Sequence, residues 1–520
     1  MSCGGSGDPV DSGTGLNEKS CTLQYTLPQA GTATGTDPLL ANQWHLQNTG
    51  QFGGKPGEDL RAIAAWALNR GDGARVAVVD DAIEVTHLDL LPNVVAGASF
   101  NYRAARFGTA YPLPCFTGDD HGTAVAGLVA ARADNNLGGA GVAPDVQLVG
   151  YNPLSTNVDA DIADALTRDL QANDVFHNSW GAPDSGPLYP AEALFVNAIN
   201  TGLASGRGGK GSVYVFPAGN GGCYARAADG SCYRESSNFD GYVNKLGIIT
   251  ACAVDNQGRA PYYVERGANV MICGMSSGSS IGITTTDIEN RFRNNFSGTS
   301  ASAPMVSGVA ALILAENPSL TWRDVQQVML RSARKNDPAD AEWRSEFGLD
   351  FNPKYGFGVA DAQAAVTLAR SWTSIGGSES LVSCGPFTRA PNLDLPDPPL
   401  LANNTSGTPV TVTDTNPVAG CPINKIEFIE IRLTADHSYS GDLRVDLVSP
   451  NGLVSELAYE RVCPDSGGGD PCGSYTDWPF GSVRHMDEPV DGDWQLRVTD
   501  VQARDSGRFN TWSLRFFGRP

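Results

Sequence analysis

The apolar positions of this chain fall into three kinds of run. Val76-Ala77-Val78-Val79 and Val213-Tyr214-Val215-Phe216 are short and rich in β-branched or aromatic residues, and they read as strands buried on both faces. A second kind is helical: an alanine-rich stretch after His121, and an apolar segment from Met305 to Leu314. The third kind alternates, as in Ile426-Glu427-Phe428-Ile429-Glu430-Ile431-Arg432-Leu433 and Leu443-Arg444-Val445-Asp446-Leu447. With Ser449-Pro450-Asn451-Gly452 as a turn signal, that alternation predicts the strands of a sandwich. Buried strands alternating with helices predict a three-layer α/β domain with a mostly parallel sheet, and an all-β domain follows it. A length of 520 residues fits two or more domains. The expected division is a flexible Gly-, Ser- and Thr-rich extension over 1–36, an α/β domain over 37–375 and an all-β domain over 385–520. Residues 392–409, rich in Pro, Asn and Asp, read as a linker or a leading strand.

The polar residues that punctuate these runs carry the chemistry. Asp80 ends the first buried strand, where open α/β sheets place their sites. Asp81 follows it, but Asp80 ends the strand directly and is preferred. His121 opens the alanine-rich helix within Asp119-Asp120-His121-Gly122-Thr123. Ser300 lies in the small-residue turn Ser297-Gly298-Thr299-Ser300 that runs into the apolar helix. A hydroxyl at a helix N-terminus meets backbone N–H groups and a dipole that favour developing negative charge. With a histidine and a carboxylate to activate it, such a serine can attack a carbonyl. Asn220 ends the second buried strand in Pro217-Ala218-Gly219-Asn220.

These blocks, in the order Asp, His, Asn, Ser, resemble the signature blocks of the subtilisin-like serine proteases. The resemblance implies Asp80 as the orienting carboxylate, His121 as the general base, Ser300 as the nucleophile and Asn220 as an oxyanion donor. Further segments are similar to the kexin and furin branch. They include Asp37-Pro38-Leu39-Leu40, the doubled Asp80-Asp81, Ser179-Trp180-Gly181 with Asp184, and Asn238-Phe239-Asp240-Gly241-Tyr242. Pro261-Tyr262-Tyr263-Val264-Glu265, 317–326 and Tyr355-Gly356-Phe357-Gly358 extend the likeness, whereas Ala82 replaces the branch's usual glycine.

By that resemblance Ser179, Trp180 and Gly181 form the substrate-binding strand, and Asp184 and Asp240 line the S1 pocket. A negative, partly desolvated pocket selects a cation and rejects neutral analogues, so cleavage after Arg or Lys is expected. Asp81 is expected to favour a basic P2 residue and Asp164 to face a more distant subsite. Two Ca2+ sites are also implied. The first would use Asp37, Asp89 and Asn135 with the carbonyls of Arg132, Leu137 and Gly139. The second would use Asp184, Glu235 and Glu265, with Glu235 where the family usually has aspartate. Ser440-Gly441-Asp442-Leu443, Asp493-Trp494-Gln495-Leu496 and Thr511-Trp512-Ser513-Leu514 resemble the P domain of proprotein convertases, a β jelly roll. That implies support of the catalytic domain, with Trp494 and Trp512 as core residues.

Charge and cysteine content narrow the context. A net charge of −21 argues against nucleic acid as a partner and favours basic peptide segments. No apolar run in the sequence reaches the roughly 18 residues of a membrane helix. Eleven cysteines argue for disulfides and an oxidising compartment, hence a secreted or bacterial cell-surface or periplasmic protein. Closeness in sequence suggests Cys223–Cys232, Cys252–Cys273, Cys384–Cys421 and Cys463–Cys472, which leaves Cys21 with Cys115. Cys3 remains, either as a lipidated anchor or as an unpaired cysteine on a disordered end. The stretch before Asp37 is too short for a folded pro-domain, so a removed pro-domain or a separate folding chaperone is expected. Two rivals stand beside the protease: a lipase-like hydrolase, whose Gly-x-Ser-x-Gly is broken by Ser302, and an idle scaffold that only binds.

Overall fold

The computed structural model describes residues 2–3, 35–116, 118–226, 232–278, 281–400, 408–463 and 471–520. Its centre is a six-stranded, all-parallel sheet. In chain order its strands are β1 (Arg75–Val79), β2 (Gln147–Tyr151), β3 (Val175–Asn178), β5 (Val213–Pro217), β6 (Ile248–Val254) and β7 (Ile272–Met275). The short β4 (Trp180–Gly181) leaves the end of β3. Across the sheet the order is β7-β6-β5-β3-β1-β2. Apart from the ends of β1 and β2 these strands are buried, which is why they read as continuous apolar runs.

Two helices carry the histidine and serine expected to react: α1 (His121–Ala130) and α3 (Thr299–Glu316). Between them in sequence, α2 (Asp159–Ala165) follows β2. Every residue of α1 is buried, as is α3 from Thr299 to Leu314, so α3 is a core helix lying against the sheet. Over 18 residues it is also apolar enough to cross a membrane by composition, with a mean hydropathy of 1.3, yet 89% of it is buried inside the protein. The expectation that no apolar run reaches that length is corrected in this sense; the helix is long and apolar because it is enclosed by its own domain.

The C-terminal region is a sandwich of two antiparallel sheets. One contains Val382–Arg389, Gly507–Arg519, Lys425–His437 and Tyr475–Ser482, with Leu393–Leu395 added. The other contains Val410–Val418, Gly492–Asp500, Leu443–Val448 and Val454–Ala458. Its first strand begins at Val382, paired with Gly518, so the boundary expected at 385 falls inside that strand. Trp494 and Trp512 are core residues, 0% and 1% exposed.

The four short-range disulfides Cys223–Cys232, Cys252–Cys273, Cys384–Cys421 and Cys463–Cys472 are formed. The fifth pairing involves Cys21, outside the described residues. Within the extension expected to be flexible, Ser2 and Cys3 instead pair antiparallel with Gly181 and Trp180 of β4. A two-residue edge strand leaves backbone donors and acceptors free, and an extended segment satisfies them.

The two cores are joined by polar contacts. Arg323, fully buried, donates to both carboxylate oxygens of Glu427 at 2.9 and 2.6 Å and to the carbonyls of Ile375, Gly376 and Gly377. Arg519 adds a second donor to Glu427 at 2.9 Å.

Candidate active site

The functional side chains gather at the carboxyl ends of adjacent strands, the edge where parallel sheets expose backbone and loops. Asp80 follows β1, Ser179 joins β3 to β4, and Asn220 lies in the turn after β5. Asp80 Oδ1 lies 2.8 Å from His121 Nδ1, and both side chains are buried. The approach is close because residue 122 is glycine. A Cβ there would stand 2.4 Å from the Ala82 carbonyl and 2.8 Å from the Asp80 Cβ. Burial disfavours the charged imidazole, but the carboxylates of Asp80, Asp81 and Asp120 outweigh that and push its pKa up to about 9. His121 Nε2 is buried and has no hydrogen-bond partner among the described residues.

Ser300 is the second residue of α3, and its hydroxyl donates to the Ser179 carbonyl at 3.4 Å. The structure therefore joins Asp80 to His121 directly, whereas the serine hydroxyl is turned to the Ser179 carbonyl and not to Nε2. Pro304 explains a second contact. It lacks the N–H that would bond the Ser300 carbonyl one turn back, and Ser179 Oγ donates to that carbonyl at 3.1 Å instead. Ser179 Oγ also lies 2.8 Å from His177 Nε2, and His177 Nδ1 lies 2.9 Å from Ser307 Oγ. Burial lowers the His177 pKa to about 3, so this histidine is neutral and structural. His177 was not among the residues singled out from the sequence. A histidine two residues before Ser179, inside a buried strand, was the available signal.

Asn220 is oriented by its oxygen. Oδ1 accepts from the Thr299 N–H at 2.8 Å and from the Thr299 hydroxyl at 3.0 Å, which leaves Nδ2 as its donating end. Gly298, at φ 78° and ψ 175°, takes an extended positive-φ conformation open essentially to glycine alone, and so sets Thr299 and Ser300 at the helix start.

The expected S1 acids converge beside this turn. Asp184 Oδ1 accepts from the Asn220 N–H at 3.2 Å. Asp240 places one oxygen on the Ala182 N–H at 2.9 Å and the other on the Tyr242 N–H at 2.7 Å. Its Oδ2 also explains Gly181, where a Cβ would come within 2.5 Å. Desolvation raises the pKa of both acids, that of Asp240 to about 6. Trp180 lies on the strand expected to bind substrate. Its ring is buried and its Nε1 donates to the Val79 carbonyl at 2.9 Å, so only its backbone is on offer.

Two other expected subsite acids are already engaged. Asp81 accepts from the N–H groups of Ala82, Gly122 and His121, and so caps the start of α1. Asp164, on α2, accepts from the Tyr102 hydroxyl at 2.6 Å and from Arg168 Nε at 3.1 Å. Arg168 in turn lies over the Phe100 ring at 3.6 Å. The charge expected to face a distant subsite is thus neutralised within the chain.

Of the two expected metal-ligand sets, the second is drawn into a cluster of the kind a hard cation needs. Oxygens of Asp184, Glu235 and Glu265 lie within 4.8 Å of one another. Burial and mutual repulsion raise the pKa of Glu235 and Glu265 well above the carboxylate range, and a bound cation would relieve both. At the first set, Asp37 accepts from the N–H groups of Asp134, Asn135 and Asn136. Asp89 Oδ1 accepts from Asn135 Nδ2 at 2.7 Å, and Asp89 Oδ2 is buried with no hydrogen-bond partner among the described residues. Desolvation, with Asp37 adding repulsion, pushes the Asp89 pKa up to about 7. The Arg132 N–H donates to the Asp89 carbonyl, and Leu137 and Gly139 lie on the same Asn/Gly loop.

Residues 71–358 match the Subtilase family, and residues 426–516 match the proprotein convertase P-domain. The chain belongs to the subtilase family. This subtilase is 34% identical over 489 residues to kexin of Saccharomyces cerevisiae, an alignment covering 93% of this chain and 56% of kexin. It is 34% identical over 494 residues to the dibasic-processing endoprotease of Schizosaccharomyces pombe, covering 93% of this chain and 65% of that protein. To neuroendocrine convertase 2 of Mus musculus it is 33% identical over 500 residues, covering 93% and 74%. The subtilase thus spans about three-fifths of the length of the yeast relatives it matches. Among solved structures, the serine protease of Aeromonas sobria superposes with a TM-score of 0.79 at 24% identity, covering 96% of this chain and 98% of that one. The same protease in complex with its chaperone gives 0.77 at 24% identity, covering 98% of each. These likenesses establish the shared fold: an α/β domain with a parallel sheet, followed by the β-sandwich.

Proposed function

We propose that this chain is a serine endopeptidase that hydrolyses peptide bonds after Arg or Lys, with dibasic sequences preferred. The observation that carries the reading is the 2.8 Å contact of Asp80 with His121 Nδ1, which turns the opposite ring nitrogen away from the carboxylate, in a ring that lies 5.5 Å from that of Phe296, three residues before α3. Asp80 holds the imidazole in the tautomer whose Nε2 can accept a proton. The 3.4 Å bond from Ser300 to the Ser179 carbonyl is long, and rotation about one side-chain bond releases the hydroxyl. Ser300 then attacks the scissile carbonyl and His121 takes the proton. The oxyanion is held by the Ser300 N–H and Asn220 Nδ2, with Asn220 already oriented through Oδ1. His121 returns the proton to the leaving amine, and water hydrolyses the acyl-enzyme by the reverse sequence.

The substrate backbone would pair with β4, as Ser2–Cys3 does. A basic P1 side chain would meet Asp184 and Asp240. Asp81 and Asp164, whose oxygens are already bonded, would contribute field more than a direct pair. Calcium held by the two carboxylate sets would supply charge neutralisation and loop rigidity. The names of the relatives support basic-residue specificity. The disulfides support an extracytoplasmic location. A separate folding chaperone is supported by the complex formed by the Aeromonas sobria protease; a removed pro-domain is its alternative. The idle-scaffold alternative would require a lost member of the catalytic set, and Asp80, His121, Asn220 and Ser300 are all present.

A fluorogenic peptide with Lys-Arg before the leaving group tests the reading. Hydrolysis should be abolished in Ser300→Ala with the fold retained by circular dichroism, and undiminished hydrolysis in that variant would refute it.

A further inference from the structure

The two segments that carry the S1 acids are each fastened to the C-terminal sandwich. Arg461, 3% exposed, leaves the sandwich at the Tyr459–Cys463 loop. Its Nε donates to the Gly186 carbonyl at 2.6 Å, two residues after Asp184. Its Nη1 and Nη2 donate to the Tyr475 hydroxyl at 3.1 Å and the Cys472 carbonyl at 3.3 Å. Its guanidinium lies 4.0 Å over the ring of Phe239, the residue before Asp240. One side chain therefore touches both acid-bearing segments.

The surrounding contacts repeat the pattern. The Gly186 N–H donates to Glu235 Oε2 at 3.0 Å, so this one residue is held by the guanidinium through its carbonyl and by the carboxylate cluster through its N–H. Gly186 has φ 95°, and a Cβ there would lie 2.9 Å from the Tyr224 hydroxyl and 3.0 Å from Cys463 Sγ. The Tyr459 hydroxyl donates to the Glu235 carbonyl. The Leu188 N–H donates to the Cys472 carbonyl at 3.1 Å. Ahead of Asp240, Asn238 exchanges two hydrogen bonds with Gly481, at 3.1 and 2.8 Å, and its carbonyl accepts from Trp478 Nε1 at 3.2 Å. Phe239 packs into the sandwich's own core.

We propose that the C-terminal sandwich is a working part of the S1 pocket, with Arg461 as the positioning residue that fixes the Asp184 and Asp240 segments against each other. The proposal rests on the reading of those acids as the S1 pocket. Arg461 touches no substrate in this account. It acts by holding two carboxylates at the spacing that a P1 guanidinium needs for paired hydrogen bonds.

The test compares peptides with Arg or norleucine at P1 at saturating calcium, in the full chain. The parent should prefer Arg; a parent that cleaves both equally overturns the S1 reading and this proposal with it. In Arg461→Met, KM for the Arg peptide should rise about tenfold or more, since misplacement by about 1 Å costs up to two orders of magnitude. The kcat should stay close to parental, and norleucine kinetics should not change, so selectivity narrows. A selective parent with parental selectivity in Arg461→Met, or with equal losses on both peptides, overturns the proposal and leaves the S1 reading standing. Should Arg461→Met not fold, Arg461→Lys keeps the charge but loses the planar fork. Its selectivity should narrow in the same direction, and parental selectivity there overturns the proposal as well.

Discussion

The backbone N–H of Asn220 donates to Oδ1 of Asp184 at 3.2 Å. The proposed oxyanion donor and one of the proposed S1 acids thus share a hydrogen bond. Asp240 has no such link; its oxygens rest on the Ala182 and Tyr242 N–H groups. The two acids should therefore differ on substitution. Asp240→Asn should raise KM for P1 Arg peptides with little change in kcat. Asp184→Asn should lower kcat as well, because the Asn220 turn loses a charged acceptor. Hydrogen bonds to charged groups are worth about 1.5–3 kcal/mol, roughly one to two orders of magnitude in kcat/KM. Steady-state kinetics of both variants check this, and identical kcat effects would break the proposed coupling.

Asn220→Ala should lower kcat by roughly 10²–10³ with KM nearly unchanged, since the donor acts on charge that exists only in the transition state. Asn220→Asp is a sharper probe. It removes the donor and places an anion beside the oxyanion, so it should be at least as inactive as the alanine variant.

The pH profile follows from His121, whose pKa stands at about 9 because burial is outweighed by three carboxylates. Only the neutral imidazole accepts a proton, so kcat/KM should climb through neutral pH and level off near that value. Asp81→Asn removes one of those carboxylates and should move the midpoint down. The stability linkage has the opposite sense. Since the folded value exceeds the unfolded value of about 6.5, the His121 contribution is complete below that pH and is lost as pH rises through about 9. Initial rates and denaturant titrations from pH 6 to 10 measure the two effects separately.

The Asp184, Glu235, Glu265 and Asp240 carboxyls all have raised values, Asp240 at about 6. A carboxyl whose folded pKa lies above its unfolded one binds protons better when folded, so without a counter-cation it destabilises the fold at high pH and regains stability on acidification. Chelator should therefore lower Tm, and the loss should be larger at pH 8 than at pH 5.5. Added calcium should restore Tm in proportion to the logarithm of its concentration above Kd. A Tm indifferent to chelator at both pH values would remove the cation from the account.

Arg323→Met should destabilise the joined domains by about 3 kcal/mol, because it strands the buried Glu427 carboxylate with only Arg519 as partner. The loss should appear in equilibrium denaturation of the full chain. Glu427→Gln with Arg323→Met should recover part of it by removing the stranded charge.

Much of this protein is legible along the chain because it depends on local pattern. The strands before Asp80 and Asn220 are apolar runs that only a doubly buried position accommodates, and the small residues after His121 and before Ser300 declare close approach. The four nearby cysteine pairs were likewise legible, since short loops bring their ends together. What the chain could not reveal is which polar atoms end up facing each other, since that depends on segments hundreds of residues apart sharing one volume. Asp164 reads as a free acid until Arg168 and Tyr102 are seen to occupy it. Asp81 reads as a subsite acid until the N–H groups of α1 are found on it. Arg461, 277 residues after Asp184, has no motif to announce it; only packing of the sandwich against the α/β domain brings its guanidinium to Gly186 and Phe239. Composition and periodicity decide which faces are buried, whereas the pairing of charges across those faces is set by the three-dimensional arrangement alone.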